Sequence, residues 1–414
     1  MLRHGHAHPG AVGGCHVAAA VGRCAEERSA VKPDGAGLGG RVLITGAAGF
    51  IGSRLCEVMV LNGIGRPRAF LRSTATAARI ARLPLEFVVG DLCDRRSVED
   101  AMRGCDAVVH LARGDRRVMR QGLAHVLRAA ARANVRRFIH LSSVAVYGNH
   151  PPPESVAESA PVRQCDNLYG QEKLRQERLV LKYARHGLPA VILRPPAVYG
   201  PFSSFALAVL ERIRAGTVAV VNGGASPSNL VYVDNLVQAI MLALSKPAAV
   251  GEIFFVRDDD VVTWGTCLGD YARWVGAELP RVAGAELVRV PRGRLFLDSM
   301  RVLPRVLMSA QFRSVLRQVP LARAVEEPLY RAFQSLPCEV QQRIRLWVTG
   351  PRKFSVNGGA PGYYGAQDEV LAAQLRGVVH SSEKARRLLG YTAPVSYHEG
   401  MQLTETWLRY ARVI

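Results

Sequence analysis

A strand that runs straight into a glycine-rich turn and then into a helix constrains this chain more than any other feature. Arg41-Val42-Leu43-Ile44-Thr45 is short, apolar and β-branched, and Gly46-Ala47-Ala48-Gly49-Phe50-Ile51-Gly52 follows at once. Leu55, Val58, Met59 and Leu61 then recur at helical spacing. Glycine in such a turn lets the backbone curl tightly and approach a pyrophosphate, whose charge sits at the positive end of the helix dipole where free N–H groups point outward. Gly46, Gly49, Phe50, Ile51 and Gly52 are therefore expected to hold a dinucleotide. The spacing is GxxGxxG rather than GxGxxG, and close helix-to-strand packing also calls for glycine. It is the strand and helix on either side that favour phosphate binding.

Further strands are expected at Arg68–Leu71, Glu86–Val89, Ala107–Leu111 and Phe138–Ser142, with helical stretches between them such as Val118–Ala133. Strand alternating with helix means an α/β fold, a parallel sheet wound on both sides. Ligands of such sheets lie across the carboxyl ends of the strands. The turns Gly90-Asp91-Leu92 and His110-Leu111-Ala112 should thus line the cofactor groove, with Asp91 placed either to accept from the adenine amino group or to cap the next helix. Arg72 follows the second strand, about where such a fold meets the adenosine ribose. No Asp or Glu occurs between Glu57 and Glu86, whereas Arg72 and Arg79 do, with Arg54 just ahead of the stretch. A 2′-phosphate would find cations and no repelling carboxylate, so NADP is preferred over NAD. The plainer reading of Arg72 is one more solvated arginine.

The length, 414 residues, suits two domains or one large domain with insertions. Lys and Arg outnumber Asp and Glu by 54 to 34, a formal charge of +20 that attracts phosphates, acidic lipid or anionic ligands. Only six of the cations are Lys, and the Arg are spread along the chain rather than gathered in one arm, so no nucleic-acid partner is expected. Cys15, Cys24, Cys56, Cys93, Cys105, Cys165, Cys267 and Cys338 include no CxxC pair and read as reduced thiols of a cytosol. No apolar run reaches membrane-spanning length, and a soluble cytoplasmic protein is expected. Residues 1–40, rich in Gly, Ala and His without apolar periodicity, are expected to be a disordered extension. Its His4, His6 and His8 read as solvated rather than as metal ligands.

Tyr169-Gly170-Gln171-Glu172-Lys173 lies in a helix-compatible stretch running to Tyr183, and residues four apart on a helix share a face. The phenol and the ammonium can then share one site. A free tyrosine keeps its proton to about pH 10, but a neighbouring positive charge favours the phenolate. Lys173, with an oxidised nicotinamide, would supply that charge. Ser143, at a strand end, can hold the substrate oxygen beside the tyrosine. Alone, each residue is better read as a surface Tyr and Lys on an amphipathic helix and a Ser satisfying its own turn. Together, downstream of the glycine turn, they point to a catalytic group.

With these residues the chain resembles the extended short-chain dehydrogenase/reductase family, often called the NAD-dependent epimerase/dehydratase family. The matching stretches are Gly46 to Gly52, Gly90 to Leu92, His110 to Ala112, Leu141 to Gly148, Tyr169 with Lys173, Leu193 to Pro201 (with Pro195), Val231 to Asn235, and Ser382 to Tyr391. The resemblance implies a Rossmann domain over 41–195, to which helices and a strand return from 225–260, and a smaller substrate domain over 196–414. It implies Tyr169 as proton donor or acceptor, Lys173 orienting the ribose and lowering the tyrosine pKa, and Ser143 polarising the reacting oxygen. Hydride would pass between a substrate secondary alcohol or ketone and the nicotinamide. Two departures bear on the substrate. Ala197 stands where the family's nucleotide-sugar enzymes usually carry Asn, and Ser228-Asn229 where an Arg usually grips the diphosphate. The stretch Arg113 to Gly122 also lacks the familiar Asn before the helix glycine. The expected activity is an oxidoreductase on an apolar or isoprenoid-like small molecule. The alternatives are a nucleotide-sugar epimerase or dehydratase and a cofactor-binding scaffold without turnover.

Residues 287–372 are expected to form an insertion. Leu303, Val306, Leu307, Val315, Leu316 and Val319 follow a helical period, while Arg301, Arg305, Arg313 and Arg317 form a basic stripe, with Pro304 and Pro320 breaking or bounding the helix. Such a helix suits an acidic membrane surface, giving peripheral contact and delivery of a lipophilic substrate. The plainer reading is a lid or a homodimer helix with solvated arginines.

Overall fold

The computed structural model describes residues 39–162, 165, 167–282 and 369–414. The extension expected at 1–40, with His4, His6 and His8, therefore lies outside the described residues except for Gly39 and Gly40. The insertion expected at 287–372, with its basic stripe, lies outside them up to residue 368.

Strand and helix alternate from the start: β1 (Arg41–Thr45), α1 (Phe50–Leu61), β2 (Arg66–Leu71), β3 (Glu86–Val89), α2 (Arg95–Met102), β4 (Ala107–His110), α3 (Leu123–Arg132), β5 (Arg137–Leu141), α4 (Leu168–Arg185) and β6 (Ala190–Arg194). Then follow β7 (Ala197–Tyr199), α5 (Ser204–Arg214), β8 (Val220–Val221), β9 (Leu230–Tyr232), α6 (Val233–Ser245), β10 (Ile253–Phe255), α7 (Trp264–Trp274), β11 (Arg281–Val282), α8 (Glu369–Gln374), α9 (Glu383–Leu389) and α10 (Tyr397–Tyr410). Seven strands form one sheet in the order β10-β6-β5-β4-β1-β2-β3, every neighbouring pair parallel. The order reverses direction between β1 and β4, and it is there that a doubly wound Rossmann sheet opens a ligand crevice.

Side chains of successive strand residues enter opposite cores, the period of two that a sheet covered on both faces requires. Val42, Ile44, Val109 and Ile139 pack with Leu55 and Met59 of α1 and Leu236 and Ile240 of α6. Leu43, Val108 and Phe138 pack on the other face with Val98 of α2 and Leu123, Val126 and Leu127 of α3. A separate core gathers Tyr199, Leu210, Tyr232, Trp264, Tyr271 and Met401 around the two short sheets β7-β9 and β8-β11. Among the described residues no helix is long and apolar enough to cross a membrane, and Cys56, Cys93, Cys105, Cys165 and Cys267 are free thiols.

Candidate active site

Parallel pairing puts the carboxyl ends of β1 to β6 on one edge of the sheet, so the segments that leave them meet there whatever their separation in the chain. Gly46 leaves β1 with φ +74°, a left-handed conformation suited to glycine, and a Cβ there would lie 2.9 Å from the Ala112 nitrogen and the Leu111 carbonyl carbon. A Cβ on Gly52 would run into the Gly46 carbonyl oxygen and lie 2.8 Å from Ala47 Cα. The turn is thus pressed down between the start of α1 and the end of β4. Gly49 occupies the cap position of α1 with no side-chain cap, no acidic residue stands in the first turn, and Phe50 and Ile51 begin the helix. First-turn amides with no acceptor among the described residues, at the positive end of the helix, fit a pyrophosphate.

The groups expected at the adenosine end are less alike in the structure than in the sequence. Arg72 is exposed just past β2, with no hydrogen-bond or ion-pair partner among the described residues. Arg54, counted with it as a cation for a 2′-phosphate, is instead committed to Asp234 through two bonds of 2.6 and 2.8 Å and to Glu57 at 2.8 Å. Arg79 lies over the Phe202 ring, 4.6 Å from its centroid. Asp91 is exposed beyond β3, where its carboxylate accepts the Cys93 N–H at 2.8 Å; the cap of α2 is Asp94. Leu92 packs in the core below α3, and its carbonyl accepts from His125 Nδ1 at 3.0 Å.

Tyr169 and Lys173 sit one turn apart at the start of α4, a helix capped by Asn167, whose side chain accepts the Gly170 N–H at 2.5 Å. A Cβ on Gly170 would run into the Ala145 carbonyl oxygen, so this glycine is what lets α4 lie tightly on the turn from Val144 to Tyr147. Lys173 is buried, donates from Nζ to the Leu141 carbonyl at 2.8 Å, and holds that nitrogen 6.0 Å from the centre of the Tyr169 ring. Burial, assisted by the positive charge of Arg113 and opposed by Glu177, pushes its ammonium down to about 8. Ser143 accepts the Ala145 N–H on its Oγ at 3.2 Å, while its own O–H has no acceptor among the described residues. The Pro195 carbonyl accepts the Val144 N–H at 3.1 Å, closing the end of β6 against the same turn. Ser143, Lys173 and Pro195 are thus brought together around Leu141 and Val144.

Behind this edge lies a buried layer that sequence reasoning missed. Glu177 accepts from Arg194 at 2.9 and 2.7 Å and from Ser142 Oγ at 2.5 Å, and Arg194 also donates to the Tyr147 hydroxyl at 2.8 Å. These bonds fix α4 to the ends of β5 and β6. The only signal was Glu177 standing four residues beyond Lys173, on the face the pattern turns inward. His110 and His140 stack with centroids 5.7 Å apart, and burial drives both imidazoles well below their usual range, His110 to about 3. They are therefore neutral near pH 7. Gly170 was legible as a glycine inside a helix, which needs a packing reason. Arg113 was missed entirely; its guanidinium carbon lies 4.9 Å from the centre of the Tyr169 ring. At the positions where nucleotide-sugar enzymes are expected to grip a diphosphate, Ser228 donates to the Val262 carbonyl at 2.9 Å. Asn229 there donates to the Val378 carbonyl at 2.6 Å and accepts the His380 N–H at 3.1 Å.

Known proteins resemble this chain in sequence and in fold. The model of the NAD dependent epimerase/dehydratase family matches residues 42–256, more than half of the chain. The 4-hydroxy-2-methyl-3-oxo-4-farnesyl-3,4-dihydroquinoline-1-oxide ketoreductase of Stigmatella aurantiaca is 29% identical over 229 residues, covering 53% of this chain and 68% of the relative. The 2-alkyl-3-oxoalkanoate reductase of Shewanella oneidensis is 28% identical over 248 residues, covering 54% of this chain and 63% of the relative. In fold the chain is similar to the dTDP-glucose 4,6-dehydratase DesIV of Streptomyces venezuelae, a double mutant with NAD bound. The TM-score is 0.60 at 22% identity, covering 90% of this chain and 98% of that one.

Proposed function

Because this chain belongs to the NAD dependent epimerase/dehydratase family, we propose that it is an NADP-preferring reductase that interconverts a ketone and a secondary alcohol on an apolar small molecule, with Tyr169 as its acid and base. The observation that carries the reading is Lys173, buried with Nζ on the Leu141 carbonyl and set beneath the Tyr169 ring beside Ser143. When bound, a reduced nicotinamide would supply the hydride chemistry of this site. Tyr169 gives its phenolic proton to the carbonyl oxygen as the alcohol forms, and takes one back in the reverse direction. Ser143 donates its O–H to the same oxygen, holding it in place and favouring the charge that develops there. Lys173 stabilises the phenolate left on Tyr169 and offers its remaining N–H donors to the ribose. Arg72, exposed at the end of β2 without a carboxylate partner, is the group for a 2′-phosphate.

The substrate class draws support from two sides. Ser228 is occupied in holding Val262 and Asn229 in holding Val378 and His380, and Ala197 offers no polar group, so these three positions do not carry the residues expected of a nucleotide-sugar site. The ketoreductase of a farnesyl-bearing compound and the oxoalkanoate reductase are both reductases of ketones by name. The test is Tyr169→Phe in the full chain. NADPH oxidation against a panel of apolar ketones should fall by about 100-fold or more, the usual size of acid–base catalysis. Binding of NADPH, followed by its fluorescence, should be retained. Full activity in that variant removes the mechanism, and turnover of a nucleotide sugar without net NADPH consumption removes the reductase in favour of an epimerase.

A further inference from the structure

Arg113 is the third residue beyond β4, in the stretch that follows His110-Leu111-Ala112, and nothing about its neighbours in the chain sets it apart. In the structure its guanidinium lies over the Tyr169 ring, 4.9 Å from the ring centre, and the nitrogen of the buried Lys173 lies 6.0 Å from the same centre. Stacking of this kind uses the flat face of a guanidinium and leaves its edge of N–H donors free.

Those donors have no acceptor among the described residues; of the arginines that follow, the exposed Arg116 likewise has none there, while the next two are engaged. Arg117 donates to Gln121 at 3.2 Å, and Arg120 is paired with Glu172. Among the described residues the acids nearby are engaged too, Asp115 accepting the Val118 N–H at 2.9 Å. Glu172 is held by Arg120 and Arg175, which lower its carboxyl to about 2, and Glu177 is held by Arg194 and Ser142. Lys173, buried and supported by Glu177, and the exposed Arg113 thus both lie near the Tyr169 ring, and among the described residues no carboxylate pairs with Arg113. An unpaired planar fork of donors is the protein's match for two oxygens of an anion.

We propose that Arg113 binds an oxyanion of the substrate, a carboxylate or phosphate carried within a few bonds of the ketone, so that the compound reduced at Tyr169 is an anionic oxo compound. The inference rests on the proposed function for the reaction but not for the binding, and its experiment separates the two. Decanoate, decyl phosphate and 1-decanol are titrated calorimetrically into NADP-loaded full-length protein, as wild type, Arg113→Gln, Arg113→Lys and the surface control Arg116→Gln. Decanoate or decyl phosphate should bind at least tenfold more weakly to Arg113→Gln, be partly restored in Arg113→Lys, and be unaffected in Arg116→Gln, while 1-decanol is indifferent to all three. The stronger of the two anions identifies the oxyanion. Equal anion affinity in wild type and Arg113→Gln, or no anion binding by the wild type, overturns the proposal. In steady state, Arg113→Gln should raise KM at least tenfold for 3-oxodecanoate and leave methyl 3-oxodecanoate unchanged. Equal loss of kcat on acid and ester would make Arg113 a group that tunes Tyr169 and would also overturn it. Reduction of neither ketone would count against the reductase alone, with the calorimetry still deciding the role of Arg113.

Discussion

Lys173 holds its proton less tightly in the folded protein than an ordinary ammonium does, because burial outweighs the help it receives from Glu177. Between about 8, its folded value, and 10.5, its ordinary one, the unfolded chain binds the extra proton, so stability should rise with pH across that window. Below it the buried charge costs about 3 kcal/mol. Lys173→Met should therefore be more stable than wild type to urea at pH 7, with the gap narrowing toward pH 10; a gap independent of pH would deny the ammonium its depressed value. Turnover should fall above about pH 8 as the charge beside Tyr169 is lost. Arg72 carries the other prediction at this scale. Arg72→Ala should weaken NADP binding about tenfold while leaving NAD nearly unchanged in fluorescence titrations, as expected for removal of one charge-assisted phosphate contact. Equal loss for both cofactors would make Arg72 the plain solvated arginine.

The glycine turn and the start of α4 act as rigid elements because each is pressed against backbone. Gly52→Ala places a methyl group against the Gly46 carbonyl, and Gly170→Ala places one against the Ala145 carbonyl. Each should destabilise the fold by about 1–3 kcal/mol, the usual cost of overpacking, seen as a lower urea midpoint. They should differ in function. Gly52→Ala moves the first turn of α1 and should raise the Kd for NADPH. Gly170→Ala moves Tyr169 and Lys173 away from the Ser143 turn and should lower kcat more than cofactor affinity. Much of this was legible in sequence, since β1 and β3 begin and end where strands were expected, and α4 lies over the helix-compatible stretch that carries Tyr169 and Lys173 and runs to Tyr183. The two short sheets were not, because strands of two and three residues such as β8 and β9 carry too little periodicity to be recognised.

At the scale of the whole molecule, Asp258 joins the sheet to the second core. It accepts from the Tyr199 hydroxyl at 3.0 Å, the Tyr232 N–H at 2.9 Å and Asn235 Nδ2 at 2.7 Å, while Asn235 exchanges two further bonds with Val395 ahead of α10. Asp258→Ala would leave buried donors on β7, β9 and α6 without an acceptor. It should cost about 3 kcal/mol or more and lower the thermal midpoint sharply, whereas Asp258→Asn keeps one acceptor and should lose less. Arg54 shows the same long-range binding in miniature, tying α1 to Asp234 of α6 and so to the return segment of the Rossmann sheet. A sequence that places 180 residues between these partners gives no sign that they meet.

What the sequence determined by itself is whatever depends on local pattern: strand, glycine turn and helix at 41–61, the alternation that makes the sheet parallel, and a tyrosine and lysine one helical turn apart. Period and spacing encode these directly, because neighbouring residues create them. Only the tertiary structure decided which charges remain available. It committed Arg54 to Asp234, shut Glu177 in with Arg194, and laid Arg113 across Tyr169 with no ion-pair partner among the described residues. The reason is physical: a charge takes its role from whatever oppositely charged or aromatic group comes within a few ångströms, and only the crossing of distant strands and helices sets that distance.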